Sequence, residues 1–381
     1  MGNFIIPNAI QIVIDDLGWM NGKDDRENHG PSRTAMPRNH VAEDYAAIHA
    51  LGKELGMKIN CAFAIGEWDP DNRLKRLPHF SKYGDGWDNA KFLDREELKR
   101  IVDTVNASDY IDVSIHALLH GYYMDGVDNH DGSDFYYRRN KMFFPIPECE
   151  LRARLDAFFD LLQYHGVKKE VTSYVPATAL HIFDSISKIL SEYGVKYIVQ
   201  PFVYTNFNGE KPFLATIENG IITTDRNHFI ENHFSAASIL PWDQYESDFC
   251  ALPKAKGMIG THFPNFLHRD PKRNGELTAA IASYVKSCAD AFGSMMSRDL
   301  GFYSTQALYK SFAKAEEKDG SFTIDVSHVP MPVGNLGKFY ISTKAPIQGC
   351  IGAEISLYET KPTHYTYELK PTERVITMHQ R

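Results

Sequence analysis

Short runs of apolar residues alternate along the chain with longer segments in which apolar residues recur every three or four positions. The first run, at 9–14, is apolar and β-branched apart from Gln11, which is typical of a strand covered on both faces. A helical pattern follows at 43–55, and Gly56 is placed to end that helix. Strands joined by helical crossovers are parallel, so this order predicts an α/β fold. The alternation also predicts strands at 58–65, 111–115, 170–174, 196–203 and 257–260, and helices at 95–105, 150–164, 180–193 and 277–292.

About seven such units occupy roughly the first 290 residues, which favours a closed or nearly closed β/α barrel over a two-layer fold. Active sites of such barrels lie at the carboxyl ends of the strands. After Met296 the pattern changes to short alternating segments separated by Pro, Gly and Asn, and no helix stands out among them. We therefore expect a barrel at 1–296 and a small antiparallel β unit at 297–381.

The composition is that of an ordinary globular protein. Of 381 residues, 43% are hydrophobic and 24% are charged, and the formal net charge of −8 provides no basic field for nucleic acid. No apolar stretch approaches the ~18 residues of a membrane span. No signal peptide is visible, and the five cysteines are scattered without a CxxC pair, so we expect a reduced chain in the cytoplasm. The oligomeric state, including a homo-oligomer, is left open.

Polar residues that could carry chemistry follow three of the predicted strands. Asp15 and Asp16 end the first strand, and His116 and His120 lie four residues apart at the end of the third. Two histidines at this spacing on a helical turn can bind one metal ion, and neighbouring carboxylates on a strand point to opposite faces. The alternatives are loop acids or helix caps for the aspartates, and one core and one surface histidine for the pair. His262 closes the last predicted strand of the barrel.

Together these residues could hydrolyse an amide bond. One carboxylate and two imidazoles would bind a divalent cation, the other carboxylate would accept a proton, and the remaining histidine would donate one to the leaving amine.

The sequence around these residues resembles the polysaccharide deacetylase superfamily (NodB homology, carbohydrate esterase family 4). The resemblance rests on Val-Ile-Asp-Asp ending at Asp16, on His-Ala-Leu-Leu-His at 116–120, and on Ile-Gly-Thr-His ending at His262, in the family's order. It implies a distorted (β/α)7 barrel of the glycoside hydrolase and deacetylase type. It also implies that Asp15 is the general base and His262 the general acid, and that Asp16, His116 and His120 bind the metal. The implied metal is Zn²⁺, with Co²⁺, Ni²⁺ or Mn²⁺ as alternatives.

The sequence departs from the family pattern at three places. Thr-Ser-Tyr-Val-Pro at 172–176 keeps the proline of the third motif but lacks its arginine, so another group must orient the base. Trp242-Asp243 is the nearest counterpart of the fourth motif, and Ala117 stands where Ser or Thr is usual. These departures indicate a divergent branch.

Aromatic residues near the motifs are candidate contacts for sugar rings, whose C–H faces stack on aromatic side chains. The alternative is that they pack over their own core. The candidate substrate-binding residues are Trp19, Tyr122, Tyr174 and Trp242.

The function predicted from the sequence is metal-dependent removal of an N-acetyl or similar acyl group from an amino sugar or oligosaccharide. The alternatives are an amidohydrolase acting on a small non-sugar, allantoin-like amide, and a catalytically decayed carbohydrate-binding protein. A glycoside hydrolase is disfavoured because it needs two carboxylates on opposite sides of the scissile bond.

Overall fold

The structure is a computed structural model of the whole chain. In it no described helix combines the length and the apolar character needed to cross a membrane. The ranges that it describes are 4–22, 36, 38–125, 133–140, 142–177, 184–200, 214–226, 228–230, 254–318, 320–331 and 337–380.

A large sheet at the centre of the fold carries the predicted motifs. Its strands are parallel except for one antiparallel edge pair, which confirms the α/β class. The strands are, in chain order, β2 (Ala9–Leu17), β3 (Ile59–Ala64), β4 (Ile111–Ala117), β7 (Ser173–Tyr174), β8 (Tyr197–Gln200), β9 (Ala215–Glu218), β10 (Ile221–Asp225), β11 (His228–Phe229) and β12 (Met258–His262), with β13 (Met295–Met296) pairing beside β2. Their spatial order is β11-β12-β2-β3-β4-β7-β8-β10-β9.

The sheet curls until its two ends approach each other. Strand β11 forms one end of the sheet, and β10 with its partner β9 forms the other end. Along the chain, however, β10 ends at Asp225 and β11 begins only three residues later, at His228. Three peptide units span at most about 11 Å, so these two edges must be close in space. The observed sheet is therefore a curled β/α sheet, whereas the predicted closed or nearly closed (β/α)7 barrel stays a prediction.

Both faces of the curled sheet are covered, which explains why all nine residues of β2 are buried. Ile12 and Ile14 pack in one hydrophobic cluster with helices on the outside of the sheet. Val13 packs on the other side, in a cluster that also contains Val199 of β8. The outer helices are α1 (Ala42–Leu55), α2 (Arg95–Ala107), α3 (Glu148–Tyr164), α4 (Asp184–Glu192) and α5 (Asn274–Phe292).

Most predicted elements are present, with shifted ends. Helix α1 ends at Gly56, whose φ of 62° suits a glycine, as the sequence indicated. A hairpin that the sequence did not predict, β5 (Tyr136–Arg139) with β6 (Met142–Pro145), lies between β4 and α3.

The C-terminal part contains the expected antiparallel strands and one helix that the pattern missed. Helix α6 (Leu300–Phe312) packs against β2, β8, β9 and β10. Two four-stranded sheets follow, and β1 (Phe4–Ile5), from the N-terminal end, pairs with one of them. The boundary at 296/297 therefore stays a prediction. The sheets have the orders β1-β16-β19-β18 and β14-β15-β20-β17, with β14 (Lys314–Lys318), β15 (Ser321–Asp325), β16 (Phe339–Thr343), β17 (Ile347–Ile351), β18 (Ala353–Lys361), β19 (His364–Pro371) and β20 (Val375–Gln380).

Candidate metal centre and active site

The three predicted metal ligands meet at the carboxyl ends of β2 and β4. One ligand atom from each of Asp16, His116 and His120 lies within 4.8 Å of the other two, and all three residues are buried. Oδ1 of Asp16 is 3.5 Å from Nε2 of His116 and 3.7 Å from Nε2 of His120. One carboxylate and two imidazoles whose ligand atoms lie this close together form a ligand set that suits zinc and the neighbouring transition metals.

Irregular backbone brings these ligands together. The pairing of β2 with β3 shifts register between Ile14 and Leu17, and Asp16 has a φ of 65°. The pairing of β3 with β4 shifts between the partners of Ile115 and Ala117, so His116 is the extra residue of a bulge. His120, in the turn after β4, has a φ of 59°. The regular alternation assumed for Asp15 and Asp16 therefore does not hold.

The environment of the ligands fits a bound cation. In the described part of the chain, Oδ1 of Asp16 is buried and has no hydrogen-bond partner. Nδ1 of His116 lies 2.8 Å from the carbonyl oxygen of Val175, which can only accept, so this nitrogen carries the proton. The lone pair of His116 is then on Nε2, which faces Asp16. Fixing the tautomer through the second ring nitrogen is common for metal-binding histidines.

Electrostatics keep Asp16 ionised. Burial raises the pKa of this carboxyl, but the close approach of His116 and the positive charges that His120, His262 and His116 carry when protonated outweigh it and hold the pKa well below its usual range. The pKa of His116 shifts in the opposite direction. Burial lowers this pKa, but the neighbouring carboxylates of Asp16 and Asp15 have the larger combined effect and raise it. The cluster therefore supplies a negative charge at the position where a cation would bind.

Asp15, the predicted general base, is held by an arginine that the sequence did not identify. Nη1 of Arg226 donates to both carboxylate oxygens of Asp15, at 2.7 and 2.5 Å, and both residues are buried. Arg226 follows β10, at the point where the chain passes from one end of the sheet to the other. Arg226 therefore contacts Asp15 from a position unlike that of the family's third motif, which usually has its arginine before the proline that is Pro176 here.

His262, the predicted general acid, ends β12 next to Asp15 in the sheet. Its Nε2 is 3.7 Å from Oδ2 of Asp16, and its ring meets that of Phe229 edge-on with centroids 5.1 Å apart. Its side chain is 21% exposed, against 2% for Asp16 and His116. Among these three, His262 is the group that solvent or a substrate can reach.

The predicted substrate contacts are more deeply placed. Trp19, Tyr122 and Tyr174 are each at most 2% exposed. Tyr174 stacks on Phe135, and Tyr122 stacks on Tyr137. Trp242 lies outside the described residues. These four assignments stay predictions.

Sequence reasoning missed two side chains that support the site. One is Arg226, which follows a strand just as the predicted residues do, so the strand-end rule could have found it. The other is Asp134, whose carboxylate accepts hydrogen bonds from the backbone of the turn that carries His120. It lies in a polar loop with several acids, where no spacing rule singles it out.

No protein-family model matches this sequence, and no curated protein does. Among solved structures, the carbohydrate deacetylase Agd3 matches with a TM-score of 0.53 over 98% of this chain, at 10% identity. The chain shares its fold with a carbohydrate deacetylase. It spans only 65% of the length of Agd3. The GH57-type branching enzyme of Pyrococcus horikoshii matches 77% of this chain and 69% of its own, at 10% identity, but its TM-score of 0.39 is too low to support an argument.

Proposed function

We propose that this protein is a metal-dependent hydrolase that removes an N-acetyl, or similar acyl, group from an amino sugar or oligosaccharide. One observation carries the proposal. The buried Oδ1 of Asp16, without a hydrogen-bond partner in the described chain, faces Nε2 of His116 and of His120. An unpaired buried carboxylate oxygen is costly, and a cation would satisfy it. The fold shared with Agd3 supports the same class of reaction.

Asp16, His116 and His120 would hold the ion, with Zn²⁺ as the first candidate and Co²⁺, Ni²⁺ or Mn²⁺ as alternatives. Such an ion supplies Lewis acidity to a water molecule and to the acyl carbonyl oxygen.

The two remaining groups would move the protons. Asp15 accepts the proton that the attacking water loses, while Arg226 fixes its carboxylate and compensates its charge. His262 donates a proton to the nitrogen of the leaving group as the C–N bond breaks, so that the products are a carboxylic acid and a free amine. The greater exposure of His262 suits contact with a substrate.

The first experiment tests the metal site. We expect purified protein to bind stoichiometric zinc, and His116→Ala to lose it. His165→Ala is the control, because His165 is also hydrogen-bonded to a carbonyl, that of Trp68, but is only half-buried and does not belong to the ligand cluster. A metal-free protein that hydrolyses its substrate at an unchanged rate in chelator would overturn the proposal.

The second experiment tests the reaction and the substrate class. Acetate and free amine should be released from N-acetylated amino sugars, and Asp15→Asn should lower kcat about 10²- to 10⁴-fold with zinc still bound. Hydrolysis of small non-sugar amides alone would favour the amidohydrolase alternative. Sugar binding without product from any acylated substrate would favour a decayed binding protein.

A further inference from the structure

The turn that carries His120 is fixed on its carbonyl side by the end of β3. The backbone N–H of Ile65 donates to the carbonyl oxygen of Ala117 at 3.2 Å, and that of Gly66 donates to Leu118 at 2.8 Å. These bonds join the turn to the neighbouring strand, but they leave its own N–H groups to be satisfied elsewhere. Buried backbone N–H groups require partners.

A single carboxylate satisfies the amide side of the same turn. Oδ2 of Asp134 accepts hydrogen bonds from the N–H of Leu118 at 3.1 Å and of His120 at 2.9 Å, and Oδ1 accepts from Leu119 at 3.3 Å. Three consecutive amides that converge on one anion form a nest. His120 lies in the left-handed region, which a non-glycine residue keeps only where surrounding contacts impose it.

The surroundings of Asp134 separate it from the reacting groups. Its side chain is buried, and burial raises its pKa although Arg154 and the three backbone N–H groups oppose this. Arg154, on α3, is itself buried and donates to the carbonyl oxygen of Pro78. Asp134 therefore lies among structural contacts rather than on the open side of the site.

We propose that Asp134 is a positioning residue that sets the imidazole of His120 for metal binding. Ala117 offers no hydroxyl with which the turn could be held from within, so the anchor comes from a carboxylate 14 residues after His120. This inference rests on the proposed function, in which His120 is a metal ligand. Loss of Asp134 should lower metal affinity without removing a ligand.

The test compares Asp134→Asn with Asp69→Asn. Asparagine at 134 keeps one acceptor oxygen but turns an N–H₂ group toward the donors of the turn. Asp69 is a matched control, because it is also buried and accepts backbone N–H bonds, from Asp71 at 3.2 Å and Leu74 at 2.7 Å, whereas the N–H groups of residues 118–120 donate to Asp134. Zinc affinity is measured by competition with a chromophoric chelator, well below the melting temperature of each variant.

We expect Asp134→Asn to weaken zinc binding about 10- to 100-fold, the usual effect of removing an outer-shell support. Asp69→Asn should lower the melting temperature comparably and leave zinc affinity within about twofold. Equal zinc affinity in folded Asp134→Asn and wild type would overturn the inference. Absence of zinc binding by the wild type would instead contradict the proposed function.

A second measurement is independent of metal. In chelator-treated protein, hydrogen exchange at the amides of residues 118–120 should accelerate at least about tenfold in Asp134→Asn, whereas in Asp69→Asn the change should appear at Leu74. Unchanged protection at 118–120 would show that the carboxylate does not hold the turn, whatever the wild type binds.

Discussion

Two regions at the carboxyl end of the central sheet hold buried carboxylates in different ways. Inside the curled sheet, Asp15 faces the guanidinium of Arg226, which contacts both of its oxygens. In the surrounding loops, backbone amides take that role. Oε2 of Glu67 accepts from the N–H of Met20 at 2.7 Å and of Asn21 at 2.8 Å, and Asp134 binds three amides of the turn after β4.

The difference separates carboxylates that can do chemistry from those that hold backbone. A guanidinium brings a full positive charge to Asp15, whereas amides bring only partial charges. Burial dominates in the loops: it raises the pKa of Glu67 to about 7 against the pull of two N–H groups, and it raises that of Asp134 although the charge of Arg154 and three N–H groups oppose it. In the proposed reaction Asp15 is the base and Arg226 supplies the counter-charge of its carboxylate, whereas Glu67 and Asp134 hold the backbone of the surrounding loops.

Removing the counter-charge is the strongest test of this comparison. Arg226→Met leaves the carboxylate of Asp15 buried without its cation, and breaking a buried pair in this way costs about 3–5 kcal/mol. The free energy of unfolding from urea titration should fall by that amount. If the proposed reaction is correct, acetate release should fall with it, because the carboxylate of Asp15 is no longer held.

The double variant Asp15→Asn/Arg226→Met provides the control. It removes both charges, so we expect it to be more stable than Arg226→Met alone, with a coupling energy of about 1–3 kcal/mol in the cycle. A single variant within about 1 kcal/mol of wild type would show that Asp15 does not depend on Arg226, and the comparison would fail.

The three candidate metal ligands could be predicted from the sequence because each lies beside a local signal. Asp16 ends an apolar run, and His116 and His120 combine a strand end with a four-residue spacing. The parallel sheet then brings the strand ends together, which the alternation of strands and helices also predicts. Resemblance added roles to residues that position had already selected.

The contacts of the two supporting residues could not be predicted in this way, because they depend on closure of the sheet and on loop packing, although Arg226 itself lies at a strand end. Arg226 is 211 residues from Asp15 and reaches it only because the ends of the sheet meet. Helix α6 was missed for a related reason. It packs between the large sheet and the C-terminal strands, so its own buried residues, such as Tyr303, Leu308 and Tyr309, lie on several of its sides and no single polar face marks it as a helix.

Glu67 offers a second, smaller test through the pH dependence of stability. Its pKa is about 7 in the folded state against 4.5 for a free carboxyl, so the native protein keeps a proton that the unfolded chain releases between these values. The free energy of unfolding should therefore fall as pH rises from 4.5 to 7, by about 3 kcal/mol at most, and level off above it. Glu67→Gln should remove this component from urea titrations across that range.

Glu54→Gln is the control for Glu67→Gln, because Glu54 is a fully exposed carboxyl that pairs with Lys286 on the surface. It should leave the decline between pH 4.5 and 7 in place. If Glu67→Gln and wild type lose stability in parallel over this range, Glu67 is not a buried carboxyl held by amides alone.

The smallest effect is expected where an amide-held carboxylate is exposed. Asp94 caps α2 by accepting from the N–H of Glu97 at 2.9 Å, and the residue is exposed. Asp94→Ala should cost about 1 kcal/mol of unfolding free energy, as for other helix caps, with no dependence on metal. Asp103→Ala, which removes an exposed ion pair with Lys99 on the same helix, should change stability by less than about 0.5 kcal/mol. A loss at Asp94 as large as that at Arg226 would mean that burial does not set the difference between the two regions.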